Sequence, residues 1–378
     1  MGVKAKFLAT MLAGLLAASA AWGQSTSDLG AEATPSLLAA VRTLEPMDFC
    51  GEPVPLISED SAVQEDVRER LEKEMLLILW DRPQVILWLK RAARYFPIIE
   101  TELARRGLPD DLKYVAVVES ALRPHIRSPK SALGYWQFLE ATGKKYGLRI
   151  DRQIDQRCNI YAATRAAADY FTFLHSEFDS WSLAVAAYNM GEAGLKTALL
   201  TQEASDYYQL YLPLETQRYL FRILAAKRIM TAPQRYGFPF GPADGYAPVK
   251  TEALNLTVKE RTPLRLIAQS AGIHFKYLKD LNPEIRGVAL EAGAYTLRLP
   301  PQGIAGFHQR LKINRAAWQA TQGAQVYVVR EGDNLSLIAK RFEVPLPALL
   351  LWNRLRPDQP IHPGDQLILY PPKPSKGS

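Results

Sequence analysis

Metal-type chemistry has little to draw on here, with two cysteines and five histidines among 378 residues. No Cys or His falls at a metal-ligand spacing, so no metal site is expected. Cys50 and Cys158 leave two readings open, one disulfide or two unpaired thiols. Clustered charge is also missing. The formal net charge is +7, but the basic residues are spread along the chain, which argues against nucleic acid as a partner. After residue 21 there is no second long apolar run, and strand signals are scarce between residues 61 and 230. What remains, 48% hydrophobic and 22% charged residues, is ordinary for globular protein.

The first 23 residues read as a leader. Lys4 and Lys6 precede an apolar core, Phe7 to Ala21, and Ala21-Trp22-Gly23 is a small-x-small cleavage site. The core is short for a spanning helix. No cysteine sits at the cleavage point, so a lipid anchor is not expected. Without the leader's two lysines the charge falls from +7 to +5, a modest excess suited to an acidic polymer or surface.

Residues 24–60 carry Pro, Ser and Gly without periodicity and read as loosely ordered. Residues 61–235 are helical in pattern almost throughout. Helices are expected over 66–80, 83–94, 96–106, 109–120, 159–178, 181–188 and 214–230. Pro233 to Pro248 breaks the pattern, and 236–250 reads as a linker. Beyond it is an internal repeat spaced by 71 residues: Val258 to Glu260 matches Val329 to Glu331, Ile267-Ala268 matches Ile338-Ala339, and Asn282 matches Asn353. Each copy, 251–302 and 326–371, reads strand, helix, helix, strand. The segment 303–325 joins them through a helix near 307–318, and 372–378 reads as a disordered tail. The fold class is mainly α: one all-helical domain followed by two small α+β (βααβ) modules.

Four short motifs carry candidate chemistry. Glu119-Ser120 closes a helix. Leu112, Val115, Ala116 and Glu119 share one helical face, so the carboxyl sits on an apolar stripe. No other acidic residue occurs before Glu140. Burial raises a carboxyl pKa, as a general acid requires, although a structural ion pair fits a lone Glu as well. The run Ser128 to Gln137 contains Gly134, where the backbone can be approached closely. Its Tyr135 and Trp136 offer flat faces for sugar rings or, in the plainer reading, core aromatics around a turn. Ala187-Tyr188-Asn189 precedes Gly191-Glu192, and Tyr219 lies in a Glu-Thr-x-x-Tyr stretch of a long helix. Capping and core packing would also account for these.

Taken together and in order, the motifs resemble the family 1 lytic transglycosylases. The family pattern is Glu-Ser, Gly-x-x-Gln, Ala-Tyr-Asn, then Glu-Thr-x-x-Tyr. It is met at Glu119-Ser120, Gly134 to Gln137, Ala187 to Asn189 and Glu215 to Tyr219, with Ser128 nine and Gln137 eighteen residues after Glu119. Gly134-Tyr135-Trp136-Gln137 is nearest the D-type branch of membrane-bound lytic murein transglycosylases. The resemblance implies a goose-lysozyme-like catalytic domain with Glu119 as acid and base. It also implies that Ser128, Gln137, Tyr188, Asn189 and Tyr219 bind substrate, with Tyr188 supporting Glu119 or the reacting sugar.

The repeat resembles LysM modules, which bind N-acetylglucosamine-containing glycans. In the second copy Gly332, Asp333, Asn334, Leu335 and Ile361 are the implied sugar contacts. In the first, Arg261-Thr262-Pro263 replaces Gly332-Asp333-Asn334, so it is expected to keep the fold but not the ligand. The implied partner is peptidoglycan, cleaved to 1,6-anhydro ends in cell-wall remodelling, with neither a metal nor an organic cofactor implied. The implied location is the periplasm of a Gram-negative bacterium, after export, in association with the envelope. Peripheral membrane association and oligomeric state stay open. A water-using muramidase and a non-catalytic wall-binding protein are the alternatives.

Overall fold

The computed structural model describes residues 37–42, 44–321 and 326–370. The leader, the rest of the chain before residue 37 and the 372–378 tail lie outside the described residues. The helical domain begins with α1 (Leu37–Arg42) and a two-strand hairpin, β1 (Asp48–Phe49) and β2 (Glu52–Pro53). This stretch was expected to be loosely ordered, yet it packs into the core. Val41, Phe49, Val54 and Leu56 are buried. The Glu52 carboxylate accepts from the backbone N–H groups of Trp181 and Ser182 at 2.5 and 3.2 Å, capping a helix far along the chain.

Then follow α2 (Ser61–Trp80) and α3 (Arg82–Ala104). Asp60 caps the first through Ala62 and Val63, and Asp81 caps the second through Gln84. The expected break near residue 95 does not occur, and Pro97 sits inside α3. An interior proline costs about 3 kcal/mol. Trp88, Leu89, Ala92, Ile99 and Leu103 bury the helix on both sides of it, and that packing carries the helix through.

A 3-10 turn at Asp110–Leu112 leads into α4 (Lys113–Ser120), which stops where Ala121 turns left-handed at φ 52°. Next come α5 (Glu140–Lys145), α6 (Ile160–Phe178), α7 (Trp181–Met190), α8 (Glu192–Gln202) and α9 (Leu214–Thr231). The sequence pattern had not suggested α5 or α8. Helix α9 runs through the middle of the domain, packed against α2, α4 and α7. Glu74 of α2 and Arg218 of α9 form a two-bond ion pair at 2.5 and 3.0 Å. The linker doubles back along α3, where Tyr246 N–H donates to the Lys90 carbonyl at 2.9 Å.

The first repeat pairs β3 (Glu252–Val258) with β6 (Gly293–Leu299), antiparallel, and encloses β4 (Thr262–Pro263), α10 (Leu264–Ser270), α11 (Phe275–Leu281) and β5 (Ala289–Leu290). A short turn of helix, α12 (Pro301–Ile304), and α13 (Phe307–Thr321) follow. The second repeat has β7 (Val326–Val328), α14 (Leu335–Arg341), α15 (Leu346–Asn353) and β8 (Gln366–Ile368). Both copies use their shared asparagine alike. The Asn282 side chain bonds the N–H and C=O of Arg298 at 2.6 and 2.9 Å, and Asn353 does the same to Ile368 at 2.6 and 2.8 Å. These partners lie 16 and 15 residues downstream, so the ungapped spacing read from sequence slips by one residue before the closing strand. Among the described residues no helix is long and apolar enough to cross a membrane.

Candidate active site

Glu119 is the penultimate residue of α4, half-buried against the domain core. Burial pushes its carboxyl up to about 7, above the ordinary 4.5. A hydrogen bond donated by the Tyr219 hydroxyl and the positive charge of Arg222 pull in the opposite direction, and Glu215 adds to the rise. The carboxyl therefore titrates near neutral pH and can both give and take a proton there.

Ser120 ties this helix end to the next motif. Its hydroxyl donates to the Tyr135 carbonyl at 2.8 Å and accepts from Arg123 N–H at 3.3 Å. The loop from Ser128 to Phe138 is held at several other points. Gly134 has φ 88°, and a Cβ there would run into the backbone carbonyl of Arg157, so only glycine fits. Gln137 has φ 50°, and its side-chain amide donates to Ile126 O at 2.9 Å and Gly134 O at 2.8 Å. Both amide hydrogens are thereby used, leaving the carbonyl oxygen for a ligand. Ser128 closes the loop's start: its hydroxyl accepts from Ala132 N–H at 3.1 Å.

Tyr135 and Trp136 are 3% and 0% exposed, so they do not offer faces to sugars. They are the loop's anchors in the core, and the Trp136 indole N–H donates to Thr164 Oγ1 at 3.0 Å. Tyr188 also serves the loop. Its hydroxyl donates to the Trp136 carbonyl at 2.6 Å, and its ring stacks on Phe171 at 4.7 Å. The direct partner of Glu119 is Tyr219; Tyr188, expected to support Glu119 or the reacting sugar, makes no direct bond to it in the structure, although burial and the nearby Glu119 charge both raise its pKa. Asn189 is fixed by Thr216 Oγ1, which donates to its side-chain oxygen at 2.8 Å.

Glu192 is the first residue of α8. Its own backbone N–H lowers its pKa, as do Tyr170, which donates to it at 3.0 Å, and Lys145, against the effect of burial. It is a capping carboxylate. Arg222 and the Glu119–Tyr219 contact were not read from sequence. A charged residue one turn after Tyr219 on α9 was the available signal. Cys50 and Cys158 are both free, and burial pushes the Cys158 thiol up to about 12.

In the second repeat Asp333, Asn334, Leu335 and Ile361 line a groove of about 550 Å³ with Leu346, Leu350 and Pro357. Gly332 makes the left-handed turn before it, at φ 82°. Asn334 caps α14, and the Asp333 carboxylate accepts from Tyr327 Oη at 2.5 Å and Arg330 N–H at 2.8 Å. In the first repeat Thr262 is wholly buried, and Arg261 donates to backbone carbonyls of the second repeat at Gln366 and Trp352, 3.3 and 3.5 Å away.

Comparison with known families matches residues 96–211 to the Transglycosylase SLT domain and residues 327–369 to the LysM domain. Membrane-bound lytic murein transglycosylase D of Escherichia coli K12 is 34% identical over 293 residues, which cover 74% of this chain. The chain spans 64% of that relative's length. Among solved structures, the 70-kDa soluble lytic transglycosylase SLT70 of Escherichia coli aligns with TM-score 0.34 and 18% identity, over 50% of this chain and 33% of its own. An inactive mutant of lytic transglycosylase Slt from Pseudomonas aeruginosa aligns with TM-score 0.32 and 24% identity, over 37% and 24%. The chain thus carries a transglycosylase SLT domain and a C-terminal LysM domain, and is homologous to membrane-bound lytic murein transglycosylase D.

Proposed function

We propose that this protein is a peptidoglycan lytic transglycosylase of the periplasm, held at its polymer by the second repeat. The observation that carries the reading is Glu119, a carboxyl raised to about 7 at a helix end. It stands beside a loop tied down by Ser120, Gly134, Gln137 and Tyr188. A hydrolase with two working carboxylates would need a second free acid. Two carboxylates of the motif segments are engaged: Glu215, whose charge acts on Glu119, is paired with Arg222, and Glu192 with Tyr170 and Lys145.

One carboxyl suffices when the substrate supplies the rest. Glu119 donates its proton to the glycosidic oxygen between N-acetylmuramic acid and N-acetylglucosamine, and the bond from the anomeric carbon to that oxygen breaks. The carbonyl oxygen of the muramoyl N-acetyl group bonds to the anomeric carbon, giving an oxazolinium. Glu119, now ionised, takes the proton of the C6 hydroxyl. The C6 oxygen displaces the acetamido oxygen and closes a 1,6-anhydro ring. The carboxyl ends protonated, and no water is consumed.

Tyr219 holds the carboxyl and steadies its ionised form between the two steps. Ser128, the Gln137 carbonyl oxygen and Asn189 are assigned to glycan binding. Tyr188 supports the loop that carries Gln137. Gly332 to Leu335 and Ile361 frame the wall-binding groove. Export rests on the leader reading of residues 1–23.

Glu119→Gln is the direct test. It should lower sacculus solubilisation by about a thousandfold while binding to sacculi persists. Full activity in that variant would remove Glu119 from the chemistry. A wild type that binds sacculi and solubilises nothing would make the protein a wall binder.

A further inference from the structure

The first repeat sits against the catalytic domain through a loop that its sister repeat uses differently. Four residues after Asn353, Pro357 lines the second repeat's groove. Four residues after Asn282, Arg286 turns to the catalytic domain instead. Its backbone N–H donates to Gln153 O at 2.7 Å, and Asp155 N–H donates to Glu284 O at 2.9 Å, around an antiparallel bridge between Ile154 and Ile285. Ile154, a catalytic-domain residue, is buried in the first repeat's own core.

The Arg286 guanidinium bonds the Asp155 carboxylate, which also takes two bonds from Arg157 at 2.9 and 2.8 Å. Asp155 and Arg157 are 1% and 2% exposed. Arg157 then reaches two points of the substrate loop, donating to Ser131 O at 3.2 Å and, at its end, to Phe138 O at 3.1 Å. Its own backbone carbonyl lies against Gly134. A buried arginine satisfied by a carboxylate and two carbonyls has one arrangement open to it. Whatever fixes Asp155 therefore acts on the loop, alongside its other ties.

We propose that the first repeat is a brace for the active site and not a glycan module. Arg286 is a positioning residue that acts through Asp155 and Arg157 on the loop carrying Gln137. The brace rests on the transglycosylase reading only where turnover is measured.

Hydrogen exchange and turnover in the full chain test it together, using Arg286→Ala and Arg286→Lys. In Arg286→Ala the amides of 128–138 should exchange about tenfold faster while those of α6 keep their wild-type rates. Turnover of soluble glycan, as kcat/KM, should fall about tenfold. Arg286→Lys, which keeps the charge at Asp155, should recover part of both. Unchanged exchange at 128–138 would overturn the brace. So would faster exchange spread evenly over α6 and the rest of the domain, since that marks a purely structural contact. An inactive wild type would count against the transglycosylase reading alone, and the exchange comparison would still decide the brace.

Discussion

At the scale of residues, the proposed chemistry depends on how Glu119 is held. Its carboxyl is raised from 4.5 to about 7, chiefly by burial. The folded protein therefore binds this proton more tightly than the unfolded chain does. Between pH 4.5 and 7 the contribution to stability falls as pH rises, and it is fully present only below the unfolded value. Glu119→Gln removes that cost, so the variant should be more stable than wild type at pH 8 by ~2 kcal/mol, after allowance for contact with cleft water. The two should converge near pH 4, and thermal melts across this range would show it. Turnover by the acid form should fall on the alkaline side with a midpoint near 7. Tyr219→Phe deletes a hydrogen bond that favours the ionised carboxylate, so that midpoint should move up by about one unit. A midpoint that stays put or moves down in the pH–rate profile would show that Tyr219 does not tune this acid.

At the scale of elements, the loop after α4 is built on one glycine. Gly134→Ala places a methyl group on the Arg157 carbonyl at a φ of 88°. The cost should be at least ~2 kcal/mol, and the melting temperature should fall by about 5 °C or more. A melt unchanged by the substitution would contradict the packing described. Much of this loop was legible in the sequence, because Gly, Ser and Gln at fixed spacings carry local requirements. The roles of Tyr135 and Trp136 were not, since an aromatic beside a turn faces sugar or core according to what packs over it. For Trp136 that is α6, which supplies Thr164 and Phe171, and for Tyr135 it is α3, which supplies Tyr95. The choice between Tyr188 and Tyr219 was hidden for the same reason: it depends on how α7 and α9 cross. Pro97 misled in the other direction, because a local breaking signal was overridden by burial that sequence does not display. The hairpin near Phe49 was missed because two-residue strands have no period to detect.

At the scale of the whole molecule, the two repeats differ in what their matching loops touch. The duplication was plain from spacing alone, and the divergence of Arg261 to Pro263 marked the first copy as unlike its sister. Its docking on the catalytic domain was beyond reach, since contacts such as Asp155 with Arg286 join residues 131 positions apart. Removing residues 326–378 should cut retention on sacculi by about tenfold and leave turnover of short soluble glycan within about twofold. A pull-down with intact sacculi beside a soluble-substrate assay would separate the two, and undiminished retention would deny the second repeat a wall-binding role. The reaction itself is best tested by mass spectrometry of the fragments that the full-length protein releases from sacculi. Muropeptides ending in 1,6-anhydro-N-acetylmuramic acid are expected, absent when Glu119→Gln is used. Reducing ends that take up solvent oxygen from labelled water would mean that water is the nucleophile, and would contradict a cleavage run by one carboxyl and the sugar's own hydroxyl.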